Sequence, residues 1–190
     1  MTGRLLALLL CLFTAPVCAQ ESVPAKNDAS ASDPLIIHLN AAEEYQRKGE
    51  LSSAAIENRM VLGIALQRLG VIAIEEGDYE EAESLLTRSM AISDSAPTRT
   101  NLAIAYMRKD KLDEALSEAK AAQRLDPDHF GTRYMLGNIY YAQENYEAAL
   151  PELELVFEKA PDFEVARALG FTYLSLKQPE KARALFEKTK

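Results

Sequence analysis

Residues 136–161 read LGNIYYAQENYEAALPELELVFEKAP, and this stretch decides the fold. It opens on Leu136-Gly137, carries Tyr140 one turn later, and breaks at the polar Gln143-Glu144-Asn145. It then resumes with Tyr146, Ala149 and Leu153 before Pro161. Apolar or small residues return every three or four positions on both sides of the break, the spacing of one helix face. Two helices joined by a short polar turn follow. Pro161 marks where the second must stop, because proline donates no helix hydrogen bond.

Working outward, the pattern recurs. Leu69-Gly70, Leu102-Ala103, Leu136-Gly137 and Leu169-Gly170 stand 33, 34 and 33 residues apart. The same intervals separate Ala73, Tyr106, Tyr140 and Tyr173, and also Tyr79, Leu112, Tyr146 and Pro179. They hold again for Ala82, Ala115, Ala149 and Ala182, and for Leu86, Ala119, Leu153 and Phe186. Five columns in one register predict an all-α solenoid of stacked antiparallel helix pairs, because a period of 20–50 residues marks a repeat array. The expected repeats are 63–95, 96–129, 130–162 and 163–190. The recurring alanine is small where paired helices must cross closely. Asp78 and Glu81 have the spacing of a capping box. Pro151, about six residues into a helix, is expected to kink it or strain its first turn.

Residues 35–62 fit the register less well. Tyr45, Gly49 and Ala54 look like another unit, but Ala54 precedes Ala82 by only 28 residues. One reading is a degenerate repeat whose second helix runs straight into the next unit. The favoured one is an atypical N-terminal cap, with a helix over 35–48 and a long helix over 52–76, as terminal repeats of solenoids are usually atypical.

The N-terminus reads as an address. Arg4, the apolar run from Leu5 to Phe13 and Val17-Cys18-Ala19 give a basic start, an apolar core and a small-residue cleavage site. This predicts a signal peptide over 1–19. Lipidation at Cys18 is the second reading, against which Val17 is bulky. Residues 20–34 are small and polar and read as a disordered linker. Cys11 and Cys18 both fall in the leader. The processed chain would then have no disulfide, thiol nucleophile or thiolate zinc site. Across the whole chain 48% of residues are hydrophobic, 26% are charged and the net charge is −8. That balance argues against nucleic acid or an anionic membrane surface as partner, since both need clustered Lys and Arg.

The repeated columns resemble the tetratricopeptide repeat over residues 63–190. Departures stand at the leading Trp position, which holds Leu66, Arg99, Arg133 and Ala166, and at Asp94, where the first unit lacks the closing proline. The resemblance implies a right-handed superhelix whose first helices line a concave groove. It places Gln67, Val71, Ile74, Thr100, Ile104, Met107, Tyr134, Asn138, Tyr141, Arg167, Phe171 and Leu174 on the groove stripe. Val71, Ile74 and Ile104 are expected to pack between neighbouring first helices instead. The candidate partner-binding residues are Asn101, Met107, Tyr134, Asn138, Tyr141, Arg167, Phe171 and Leu174. The basic and amide clamp with which some members grip the C-terminal carboxylate of heat-shock chaperones is matched only by Asn101. Gln67, Val71, Gly131 and Met135 stand at its other positions.

No residue pattern points to catalysis, a metal or a cofactor. His38 and His129 have no sequence partner at triad or ligand spacing, and His129 falls in a turn that recurs as Ala160-Pro161-Asp162-Phe163. The acidic run Glu75–Glu81 lacks calcium-loop spacing. The expectation is a non-catalytic exported scaffold in the bacterial periplasm, holding a protein or peptide partner in the assembly of envelope machinery. An outer-membrane lipoprotein is the second reading of location. The rival function is a regulatory segment of a larger exported enzyme or multidomain protein, and glycan binding by the groove aromatics is a third. The chain is expected to be monomeric, with weak self-association at its C-terminal end and no membrane span.

Overall fold

The computed structural model describes residues 32–188; the leader and most of the linker read above lie outside them. The described residues form helices only. These are α1 (Pro34–Lys48), α2 (Leu51–Glu76), α3 (Tyr79–Ile92), α4 (Ala96–Arg108), α5 (Leu112–Leu125), α6 (Phe130–Ala142), α7 (Tyr146–Lys159), α8 (Phe163–Ser175) and α9 (Pro179–Lys188). Within Pro34–Lys190, α2–α3, α4–α5, α6–α7 and α8–α9 form the pairs, and each pair packs on the next.

One turn makes all the pairs. Gly77, Asp110, Glu144 and Lys177 sit in the left-handed region, with φ of 83°, 60°, 58° and 57°. The next amide reaches back to the carbonyl five residues earlier: Asp78 to Ala73, Lys111 to Tyr106, Asn145 to Tyr140 and Gln178 to Tyr173, at 2.8–2.9 Å. This closes the helix end and turns the chain. Gly49, at φ 78°, makes the same turn between α1 and α2, with Glu50 N–H bonded to the Tyr45 carbonyl at 2.9 Å. Thus α1 and the first half of α2 form a pair too. No break falls at 62–63, and α2 continues to become the first helix of the next pair.

Two of the second helices, α3 and α7, start on side-chain caps. Asp78 accepts from the Glu81 amide at 3.0 Å, and Asn145 from that of Ala148 at 3.3 Å. The α7 helix runs through Pro151 unbroken, with the proline exposed. Only the carbonyl four residues earlier, in the first turn, loses its partner.

The core is a chain of local clusters. Leu66, Ala82, Leu85 and Leu86 pack with Leu102 and Ala105 of the following helix. Ala103, Ala115 and Ala119 pack with Met135, Leu136 and Ile139. Ala149 and Leu153 pack with Leu169, Ala182 and Leu185. The column alanines Ala82, Ala115, Ala149 and Ala182 are all buried. Crossings are matched by size. A methyl group on Gly70 would sit 2.6 Å from Leu86, one on Gly137 2.6 Å from Leu153, and one on Gly170 2.3 Å from Phe186. In the second pair the same two columns hold Ala103 and Ala119, so added volume on one helix accompanies its loss on the other.

The leading-position arginines acquire partners. Arg99 bonds Glu118 at 2.6 Å and Arg133 bonds Glu152 at 3.0 Å, each across its own pair. In the first and fourth pairs those columns carry Leu66 with Leu85 and Ala166 with Leu185, all buried. A half-buried ion pair and an apolar contact thus substitute for one another between repeats.

Candidate functional site

The first helices α4, α6 and α8 line a groove of about 790 Å³. Helical spacing sets its tracks: Pro97, Asn101, Ile104 and Arg108 on α4, then Gly131, Met135, Asn138 and Ala142 on α6. Met107, Tyr134 and Arg167 widen it on either side. An adjoining stretch of about 180 Å³ is lined by Tyr134, Asn138, Tyr141, Arg167, Ala168 and Phe171.

Seven of the eight candidate residues therefore meet on one surface. Leu174 is exposed but lies outside the lining of both stretches. Of the wider stripe, Thr100 lines the groove yet is buried, donating to the Ala96 carbonyl at 2.8 Å and bonding Thr132 Oγ1 at 2.7 Å. Ile104 both packs on the core and lines the groove, while Ile74 is part of the core surface.

Tyr134 and Tyr141 lean on the core of the last two pairs, and Tyr141 meets Tyr146 edge-on with centroids 5.3 Å apart. Their outer faces remain open. Phe171 is the most open of the groove aromatics, 47% exposed. Asn101 and Asn138 are half-buried, their amides set among the apolar lining. The charges balance. Arg167 bonds Glu164 through Nε at 3.1 Å, and this partner holds its guanidinium above the usual range. Arg108 and Asp110 stand at the other end. Such a lining offers apolar seats, two amides able to bond a peptide backbone, and little net charge.

His129, read from sequence as a structural turn residue, caps α6: its Nδ1 accepts from the Thr132 amide at 3.2 Å. It also lines the groove. Pro97, Arg108 and Glu164 are lining residues that sequence reasoning missed, and Gly131, named only as a departure from the clamp, joins them. Their signal was present, since Pro97, Gly131 and Glu164 keep the intervals of 34 and 33, but only the structure shows which column faces the cleft. His38, without a sequence partner, bonds Glu57 at 2.6 Å and ties α1 to α2. Among the described residues no cluster of three or more His, Cys, Asp or Glu could hold a metal ion. No described helix is long and apolar enough to cross a membrane.

The tetratricopeptide repeat family model matches residues 73–130, 108–170 and 140–190. Mouse sperm-associated antigen 1 is 29% identical over 172 residues, 90% of this chain and 19% of that protein. The chloroplastic tetratricopeptide repeat domain-containing protein PYG7 of Arabidopsis thaliana is 26% identical over 131 residues, 64% of this chain and 44% of that protein. This chain thus spans under half the length of these relatives. Among solved structures, MamA matches with a TM-score of 0.59 at 20% identity, over 82% of this chain and 89% of its own. The first repeat domain of RPAP3 bound to the HSP90 peptide SRMEEVD matches with a TM-score of 0.58 at 26% identity, over 61% and 94%.

Proposed function

Because the chain belongs to the tetratricopeptide repeat family, we propose that it is a non-catalytic scaffold that holds a partner peptide along α4, α6 and α8. The observation that carries this is the groove itself, where Asn101, Met107, Tyr134, Asn138, Tyr141, Arg167 and Phe171 converge. The peptide we propose is extended and mostly uncharged. Its apolar side chains rest on Met107, Tyr134, Tyr141 and Phe171, and its backbone bonds Asn101 and Asn138. The similar RPAP3 domain takes the acidic peptide SRMEEVD. Here Asp110 and Glu164 offset Arg108 and Arg167, which disfavours an acidic tail. The leader pattern of residues 1–19 supports export, and envelope assembly is the role we propose for the exported scaffold.

Site-specific photocrosslinking in the cell that makes the chain tests this. A probe at residue 138 should trap one partner, and Phe171→Ala should reduce that adduct at least tenfold, about 1.4 kcal/mol of binding. A probe at exposed Arg88, on α3, should trap none of it. Equal trapping from both faces sinks the groove assignment. N-terminal sequencing of the same sample, expected to begin at Gln20, tests export separately. A second reading, an interaction segment of a longer protein, is favoured by the 19% of sperm-associated antigen 1 that the chain spans. The mass of the native protein checks it.

A further inference from the structure

The columns that join one repeat to the previous one are left open at a single place. Leu102, Leu136 and Leu169 are 2%, 1% and 2% exposed, each packed against the preceding pair, whereas Leu69 in the same column is 50% exposed. One turn on, Ala105, Ile139 and Thr172 are fully buried while Ile72 is 47% exposed. The cause is the continuity of α2. Elsewhere the preceding second helix turns back and lies along the first helix of the next pair. Here the preceding second helix runs straight on into that first helix, so nothing folds back over its latter half. With Ala65 and Leu62 one and two turns upstream, an uncharged stripe runs along α2 to Ile72, bordered by exposed Arg68 and Glu76, and keeps the shape of an inter-repeat surface without the neighbouring repeat.

We propose that this stripe is a homodimer interface, closed by α2 of a second copy packed antiparallel across a two-fold axis near Leu69 and Ile72. Two alternatives fit worse. The opposite end of the array is polar: Arg183 stands where Leu116 and Leu150 face the next repeat, and it is exposed and paired with Glu187 at 3.1 Å. Head-to-tail stacking would press that pair onto leucine and strip its water. On the export reading residues 1–19 are removed, and residues 20–33 offer one large apolar side chain, Val23, too little to cover the stripe. An uncharged apolar face meeting its own copy satisfies both at once and closes without forming a filament.

Sedimentation velocity on the whole chain tests the interface. The wild type should dimerise at tens of micromolar, and Leu69→Lys or Leu69→Glu should each weaken self-association more than tenfold with unchanged helical circular dichroism. Mixing those two variants should restore a dimer, since the opposite charges meet across the axis. Ile72→Lys, at a second exposed site, serves if either variant misfolds. A wild type that stays monomeric overturns the proposal. So does a dimer abolished by Arg183→Glu, which would mark stacking through the C-terminal end, or one lost only when residues 1–33 are removed. Failure of the mixed sample to associate overturns the two-fold arrangement.

Discussion

Tyr173 shows how much chemistry one position can hold. Its ring lies in the core between the last two pairs, Lys181 sits over its face with Nζ 5.4 Å from the centroid, and its hydroxyl donates to Glu154 at 2.6 Å. Burial, then the bond to Glu154 and its charge, push the phenol from 10.0 up to about 12. The folded chain therefore keeps this proton after the unfolded chain has released it. The stabilisation is complete below pH 10.0 and is lost as pH rises towards about 12. Denaturant melts across that window should fall more steeply with pH for wild type than for Tyr173→Phe, which has no proton to lose. Parallel slopes would mean that the hydroxyl is less sheltered than the geometry says. Glu83 lies on the other side of neutrality: its bond to Lys109 at 2.7 Å holds its carboxyl below the usual range, so that stabilisation fades in acid.

At the scale of the helix, pairing rests on size matching at one crossing. Gly137 lets Leu153 approach where a methyl group would stand 2.6 Å from it, so Gly137→Ala should cost roughly 1–3 kcal/mol through overpacking. In the second pair Ala103 and Ala119 divide the same volume. Ala119→Leu alone should be destabilising by a similar amount, and adding Ala103→Gly should recover most of it by recreating the Gly137–Leu153 arrangement. Thermal melts of the single and double variants measure the coupling. Additive losses would show that crossing distance, rather than the local pair, sets the fit. These columns were legible in the sequence as separate periodicities. That they face each other was not, because the partners lie 16 residues apart on helices whose relative rotation only packing fixes.

The array as a whole transmits little. Each cluster joins a pair to its next neighbour, so stability is a sum of local and nearest-neighbour contributions. Leu153→Ala, a cavity costing about 2–5 kcal/mol, should accordingly lower amide-exchange protection in α6, α7 and α8 while α2 and α3 keep theirs. Uniform loss along the chain would mean that the repeats unfold as one unit. The same linear plan leaves the two ends of the array unlike. Polar α9 carries Arg183 and Glu187, whereas α2 exposes Leu69 and Ile72, and the proposed contact between copies is therefore set on α2.

The sequence by itself determined the helix pairs, their period and their turn, because those depend on residues close in the chain. Apolar spacing makes each face, Asp78 and Asn145 cap, and the turn needs only one left-handed residue, a role that Gly77 shares with Asp110, Glu144 and Lys177. The groove stripe came instead from the family resemblance, and the fold brings seven of the candidate residues onto one lining because equivalent positions of a solenoid fall on equivalent surfaces. Tertiary structure decided what depends on the neighbour. Leu69 and Leu136 are the same residue type in one column, yet one is half exposed and the other buried, because only the second has a helix folded back upon it. Arg99 and Arg133 look like departures in the chain and become ion-paired counterparts of Leu66 once Glu118 and Glu152 are brought opposite them. No local pattern carries either outcome, as burial and pairing are properties of what lies across the gap.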